Sequence, residues 1–480
     1  MPRVQINQKI AVSVVFVSAM FMNILDATIV NVALPQMARD FGTTSTAIDS
    51  VAIAYMVSLA VFIPASGWLG DKFGARRVML VAIAVFTLAS ALCGMADTLG
   101  QLVAFRILQG VGGGMLAPVG MAMLFRTFPP HERVRASSIL TIPTALAPAL
   151  GPVLGGLLVT HYSWPWVFWV NIPLGVAAIA FGLIFLREAP RENAGRFDLP
   201  GFVLCGLGLA TFMFGVSEGP KRGWSSPEIL ATLIGGLAVL IIAVTVESRT
   251  AQPMVAVRLM GNRLLRSASL VTICASMAFL GTLYAISLYF QDGRGMDPLE
   301  AGLSVFPEAI GVMLGAQVAS RFVFPRLGPR LTVSLGLTGV MLSCALLATL
   351  GTGSSLWLAR LYMVTLGFAM SHVFVTSQAV AFATISPAQT GQASTLFNTI
   401  RQIGGAAGVA FLTTSMITVG TTTSTGEPNV DAYRVAFGVA AAFALLALGF
   451  AQTIRNDEAL QATRTPATPA PTSPDTHATA

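Results

Sequence analysis

Ile10-Ala-Val-Ser-Val-Val-Phe-Val-Ser-Ala-Met-Phe-Met-Asn-Ile-Leu-Asp-Ala-Thr-Ile-Val-Asn-Val-Ala-Leu-Pro35 contains a single charged side chain, Asp26. As a helix this stretch would extend roughly 39 Å, longer than the hydrocarbon core of a bilayer at about 30 Å. It is also too long for the apolar core of a signal peptide, so behind Arg3 and Lys9 it reads as a retained first membrane span. The rest of the chain repeats the pattern. Of 480 residues, 54% are hydrophobic and 10% charged, against roughly 25% charged in an ordinary globular protein. With 28 Lys+Arg and 21 Asp+Glu, three soluble domains of about 150 residues each could not wet their surfaces. The 46 glycines fit membrane helices, which tolerate glycine better than soluble ones. The composition describes an all-α polytopic membrane protein.

Apolar runs long enough to span fall at 10–35, 48–70, 78–97, 101–123, 137–160, 165–186, 199–217, 229–247, 267–290, 300–322, 331–350, 356–378, 393–418 and 433–453. Fourteen spans put both termini on one side. The loops on that side carry 20 Lys/Arg and the opposite loops five (Arg39, Lys221, Arg222, Arg294 and Arg434). This bias predicts cytoplasmic termini. The net charge of +7 is thus a signature of topology rather than of nucleic-acid binding, since no basic arm or face exists. Cys93, Cys205, Cys274 and Cys344 each stand alone in apolar runs, so small buried hydrophobes are expected and no metal or disulfide chemistry. The Thr/Ala/Pro-rich tail cannot pack a core and is expected to be disordered. No loop is long enough for a soluble catalytic domain. Gly110-Val-Gly-Gly-Gly114 lies inside a span without the Lys-Ser/Thr ending of a phosphate loop, which excludes transport driven by ATP bound in this chain.

An internal repeat organises the spans. Lys72-Phe-Gly-Ala-Arg76 follows span 2 and Arg326-Leu-Gly-Pro-Arg330 follows span 10; Arg106 precedes Gly113 by seven residues, as Arg360 precedes Gly367. The predicted organisation is therefore an N-terminal six-helix bundle (1–197), two inserted helices (198–265), a C-terminal six-helix bundle (266–456) and the tail (457–480). Paired bundles with a site at their interface are the architecture of alternating-access carriers.

Charges inside a membrane identify the candidate machinery. Asp26 sits roughly 22 Å along span 1, where an acid costs about 2.5–3.5 kcal/mol and needs a partner, a cavity or a proton. Arg106 enters from the opposite face to a similar depth, so the two can pair. Such a pair either fixes helix packing or is a titratable coupling element; the second reading is preferred. Glu308, behind Pro307 in span 10, is the second intramembrane acid and is expected to face protein or water, either as a coupling group or as a neutral acid bonded to backbone. Arg360 and Arg401 are expected to face inward, His372 to be a satisfied core residue, and Asp49 to lie solvated at the mouth of span 2. Span 5 reads Ala147-Pro-Ala-Leu-Gly151-Pro152-Val-Leu-Gly155-Gly156. Its GxxxG face permits close approach, and Pro143, Pro148 and Pro152 are expected to bend it.

These stretches together resemble the major facilitator superfamily, and within it the fourteen-span drug:proton antiporter branch. Leu25-Asp-Ala-Thr-Ile-Val-Asn-Val-Ala-Leu-Pro35 is similar to the branch's span-1 signature. Gly67-Trp-Leu-Gly-Asp-Lys-Phe-Gly-Ala-Arg-Arg77 resembles the superfamily's loop motif, Arg106-Ile-Leu-Gln-Gly110 the span-4 motif, and the span-5 stretch the antiporter motif. Trp166-Val-Phe-Trp-Val-Asn-Ile-Pro173 and Asn398-Thr-Ile-Arg-Gln-Ile-Gly-Gly405 also resemble branch signatures. Ala75, Ala147, Ser50 and Pro325 depart from the family patterns, and Glu308 maps onto none.

The resemblance implies two six-helix bundles plus two inserted helices, and proton-coupled export with Asp26 and Arg106 in the coupling network beside Glu308. It implies a conformational latch at Gly67, Asp71, Gly74, Arg76 and Arg77, and an antiporter helix carrying Gly151, Pro152, Gly155 and Gly156. Asn31, Gln109, Asn398, Arg401 and Gln402 are candidates for the substrate cavity. No cofactor is expected beyond the proton gradient; the partners are protons, an amphipathic and cationic or neutral small molecule, and the bilayer around a monomer in a bacterial inner membrane. A dedicated exporter of one metabolite, self-made antibiotic or lipid is the alternative. A transport-dead sensor is disfavoured by the intact intramembrane charges, and a membrane enzyme by the lack of any nucleophile–base or metal constellation.

Overall fold

Residues 6–188, 195–423 and 428–457 are described by a computed structural model. The tail beyond residue 457 lies outside the described residues. The described chain is helical almost throughout. Twelve helical segments are long and apolar enough to cross a membrane by length and composition. One of them, Leu299–Leu347, contains two of the expected spans, joined at Gly328, whose φ of 75° breaks the helical path. The expected fifth span falls on Arg133–His161, whose apolar part is Leu146–His161. Each of the fourteen expected spans therefore falls on a helix.

These helices are α1 (Gln8–Asp40), α2 (Ser50–Phe73), α3 (Ala75–Cys93), α4 (Leu99–Thr127), α5 (Arg133–His161), α6 (Asn171–Phe185), α7 (Leu199–Arg222) and α8 (Pro227–Arg249). They continue as α9 (Arg263–Leu288), α10 (Pro307–Val318, after a short helix Pro298–Val305), α11 (Phe324–Leu347), α12 (Leu356–Ala381), α13 (Thr390–Val419) and α14 (Val430–Ala451). Side-chain caps start several of them. Asn7 accepts from the Lys9 N–H at 3.0 Å ahead of α1, Asp198 from Gly201 at 2.9 Å ahead of α7, and Asn262 from Leu265 at 3.1 Å ahead of α9. Gly74, at φ 93°, is the only residue between α2 and α3, a conformation that favours glycine.

Glycine decides how the first helices pack. A Cβ on Gly110 would strike Ser58 and the Tyr55 carbonyl, one on Gly114 the Leu59 carbonyl, and one on Gly112 the backbone of Ala82 and Phe86. The glycine run of α4 is thus the surface on which α2 and α3 lie, rather than a phosphate loop. Gly151 and Gly155 of α5 meet Thr28, Ile29 and Val32 of α1, whereas Gly156 has open space beside it. α2, α3 and α4 pack together, and α1 packs on both α5 and α6; α9 packs on α13 and α14, and α12 on α10 and α11. Contacts of α13 with α2 and α4, and of α5 with α10 and α12, join these groups. The inserted α7 and α8 pack on each other, and α7 lies against both α2 and α13.

Candidate functional site

The expected Asp26–Arg106 pair forms, with Arg106 Nη1 donating to Asp26 Oδ2 at 2.5 Å. Two further donors reach the other oxygen: Gln109 Nε2 at 2.8 Å and Asn171 Nδ2 at 3.0 Å. Every one of these partners donates, as an acceptor-only carboxylate requires. Arg106 is held as fully. Its Nη1 also donates to Gln109 Oε1 at 2.8 Å, its Nε donates to the Val51 carbonyl at 3.2 Å, and its guanidinium lies 4.2 Å over the Tyr55 ring. Asp26 is 0% exposed and Arg106 1%. At that burial, removing either partner leaves an uncompensated charge costing about 3–5 kcal/mol.

Four helices deliver the participants: Asp26 from α1, Arg106 and Gln109 from α4, Tyr55 from α2 and Asn171 from the first turn of α6. On α3, Ser90 Oγ receives the Asn171 amide at 3.1 Å and donates to the Phe168 carbonyl at 2.8 Å. The network therefore ties five helices at one depth. Sequence reading missed Asn171 and Ser90 as participants; the one signal was an asparagine inside the apolar run Trp166–Pro173. Gln109, a candidate for the substrate cavity, is a fully buried member of this network.

The candidate latch lies at the face of the molecule where α2 turns into α3. Asp71 accepts from Arg126 Nη2 at 2.7 Å, and Arg126 Nε reaches the Pro387 carbonyl at 3.2 Å just ahead of α13. Gly67 abuts Gly391 and Thr395, and a Cβ at Gly391 would come 3.0 Å from Asp71 Oδ1. Arg133 Nη1 donates to the Phe382 carbonyl, while Phe125 stacks on Phe382 at 4.4 Å. Arg76 and Arg77 take no part in this crossing. Arg76 bonds the Leu183 carbonyl at 2.9 Å, and Arg77 lies 3.8 Å from Glu188, both beside the end of α6. The arginines that span the seam are Arg126 and Arg133, and the loop motif contains neither.

Glu308 lies in the first turn of α10, 1% exposed, and its Oε1 has no hydrogen-bond partner. Neighbouring Ala309 and Val312 cluster with Leu146 and Phe306, placing this turn against α5. Arg360 shows that the repeat is not chemically symmetric: it sits 5.0 Å over Trp357 and pairs with no acid among the described residues. His372 is buried, with Nδ1 2.8 Å from the Phe368 carbonyl, a satisfied core histidine. Asp49 is not merely solvated: it accepts from Lys221 at 2.5 Å. Of the remaining cavity candidates, Asn31 is exposed and bonds the Ala27 carbonyl of its own helix, Asn398 is buried against Met121, and Arg401 and Gln402 are half-buried.

The four cysteines are free and buried, and no cluster of three metal-ligating side chains occurs among the described residues.

Known proteins are similar to this chain. The "Multidrug resistance protein B homolog" of Mycobacterium tuberculosis is 35% identical over 407 residues, covering 83% of this chain and 74% of that protein. The "Putative multidrug resistance protein MdtD" of Serratia proteamaculans is 32% identical over 394 residues, covering 81% of each. Among solved structures, the human organic anion transporter MFSD10 (TETRAN) superposes with a TM-score of 0.66 at 17% identity, over 93% of this chain and 100% of that one, which bears on the fold alone. These likenesses indicate a multi-pass membrane transporter with bacterial relatives rather than an enzyme. The family model of the Major Facilitator Superfamily matches residues 16–409, and the chain belongs to that superfamily.

Proposed function

We propose that this protein is a proton-coupled antiporter that exports amphipathic organic compounds from the cytoplasm by alternating access. The observation that carries the reading is the sealed Asp26–Arg106–Gln109–Asn171 network. Its charges cost energy to bury, and a carrier gains from them what a static scaffold does not. Asp26 is fully enclosed by the helices that carry its three donors, so a proton reaches it only when those helices part, which links protonation to helix movement. Glu308 supplies a second proton site on the α5–α10 seam. The multidrug names of the bacterial relatives support the substrate class.

In this reading the face bearing the Asp71–Arg126 contact is cytoplasmic, following the basic loops, and the membrane is the bacterial inner membrane. Arg126, bound to Asp71 and to the Pro387 carbonyl, closes the cytoplasmic ends of the two bundles against each other. Release of that contact would open the carrier inward, with no covalent step and no resident cofactor.

The deciding experiment places the purified chain in liposomes with an imposed pH gradient and follows ethidium. Gradient-driven ethidium movement by the intact chain, abolished in Asp26→Asn, is the expected outcome. Movement that survives the substitution would transfer the coupling role to Glu308, and no movement by the intact protein would sink the multidrug reading.

A further inference from the structure

One ionisable side chain at mid-span depth behaves unlike the others. Asp26, Arg106, Glu308 and His372 are all buried. Arg401 lies deep in the protein yet keeps accessible surface. It is roughly 16 Å from the start of α13 at 1.5 Å per residue. Its only hydrogen bond is from Nη2 to Asn398 Oδ1 at 3.2 Å, and no carboxylate pairs with it among the described residues.

The helical wheel settles which way Arg401 faces. Gly391, Thr395, Ala406 and Ala410 turn one side of α13 toward α2 and α7. Gly404 and Gly408 turn another toward α9, meeting Ile273 and Met277. Ser394, Asn398 and Arg401, spaced i, i+4, i+7, form the strip between those sides. Below Arg401, Ser394 donates to the Pro118 carbonyl at 2.7 Å and Asn398 reaches Met121 Sδ at 3.5 Å, both on α4. That strip therefore looks across the seam between the bundles. Arg401 is the charge it presents there, with its remaining donors unengaged.

An unpaired guanidinium at this depth selects its complement. Its planar fork matches a carboxylate or sulfonate in a bidentate pair. We infer that Arg401 is the contact for an anionic group on the exported compound, so that the substrate class includes amphipathic anions in addition to the cationic or neutral compounds expected from sequence. This rests on the exporter reading above and deepens it. A lipid phosphate is the other source of such an anion, but headgroups lie at the membrane surface rather than at mid-span.

The test uses the full chain in nanodiscs of phosphatidylcholine and three fluorophores that share the dansyl group and carry different charges on the appended chain: dansylglycine (anion), dansylamide (neutral) and dansylcadaverine (cation). Energy transfer from the six tryptophans reads binding. Dansylglycine should bind more tightly than dansylamide, and Arg401→Gln should weaken it about tenfold or more, the range of a charge-assisted contact. Arg401→Lys should recover part of the loss, and dansylamide binding should stay unchanged in both variants, which shows that they fold. Equal affinity for dansylglycine and dansylamide, unchanged dansylglycine affinity in Arg401→Gln, or no dansyl binding at all would overturn the inference. Adding phosphatidylglycerol distinguishes the sources: loss of dansylglycine binding there would make the ligand a lipid and overturn it too. Ethidium movement in liposomes is read separately. Its failure would count against the exporter reading, and failure of the dansyl series alone against the anion contact only.

Discussion

Asn171 Nδ2 donates at once to Asp26 Oδ1 and to Ser90 Oγ, at 3.0 and 3.1 Å. A single amide on α6 thereby connects the intramembrane acid of α1 to α3. Asn171→Leu removes a donor from a fully buried carboxylate and should cost about 1–3 kcal/mol of stability. Thermal unfolding in detergent measures it; a variant as stable as the parent would mean that Gln109 and Arg106 suffice to hold Asp26.

Glu308 should behave oppositely. Its Oε1 is buried without a partner, so Glu308→Leu exchanges an unsatisfied polar group for an apolar one of similar size. Stability should rise by about 1–3 kcal/mol, while gradient-driven export falls. A loss of both would show that the carboxyl is a structural element instead.

Arg126 is expected to hold the seam closed. Ser394, bonded to the Pro118 carbonyl across the same seam, is fully buried, so a cysteine at that position should resist a permeant maleimide in the parent and react in an Arg126→Gln background. The native cysteines, all buried, contribute little labelling. Equal labelling in the two backgrounds would assign closure to Arg133 and the Phe125–Phe382 stack.

Two glycines separate packing from propensity. A Cβ at Gly112 would come 2.7 Å from backbone atoms of Ala82 and Phe86, which cannot swing aside. Gly112→Ala should therefore destabilise by about 1–3 kcal/mol, as overpacking does. Gly156→Ala meets nothing within 4 Å and should be neutral or stabilising by up to about 1 kcal/mol. Parallel thermal scans of the two variants decide the matter.

The helices were legible because hydrophobic run length is a one-dimensional property of the chain. The pairing of Asp26 with Arg106 was legible too, because two opposite charges entering the bilayer from opposite faces to one depth have few other partners. Asn171 and Ser90 were not: an amide or a hydroxyl costs far less to bury than a charge, so neither stands out in an apolar run. Arg126 was hidden differently. It sits among loop arginines that all read as topology signals, and only the approach of α13 distinguishes it from Arg76 and Arg77. The place of Gln109 in the network was not legible, because a polar residue beside a motif arginine serves a cavity or a network equally well in sequence.

The placement of α7 has a mechanical consequence. Leu209, Met213 and Val216 meet Ala60 on one side and Ala406 and Ala410 on the other. At its C-terminal end Lys221 is tied to Asp49 at 2.5 Å, and nearby Trp224 to Thr414 at 2.8 Å. The three alanines give α7 a smooth surface on both sides, with few side chains to interlock with. In the proposed exporter, rocking of the halves would leave α7 between them, tied at that end to Asp49 beside α2 and to Thr414 of α13, as a gasket that keeps lipid out of the crevice on that flank.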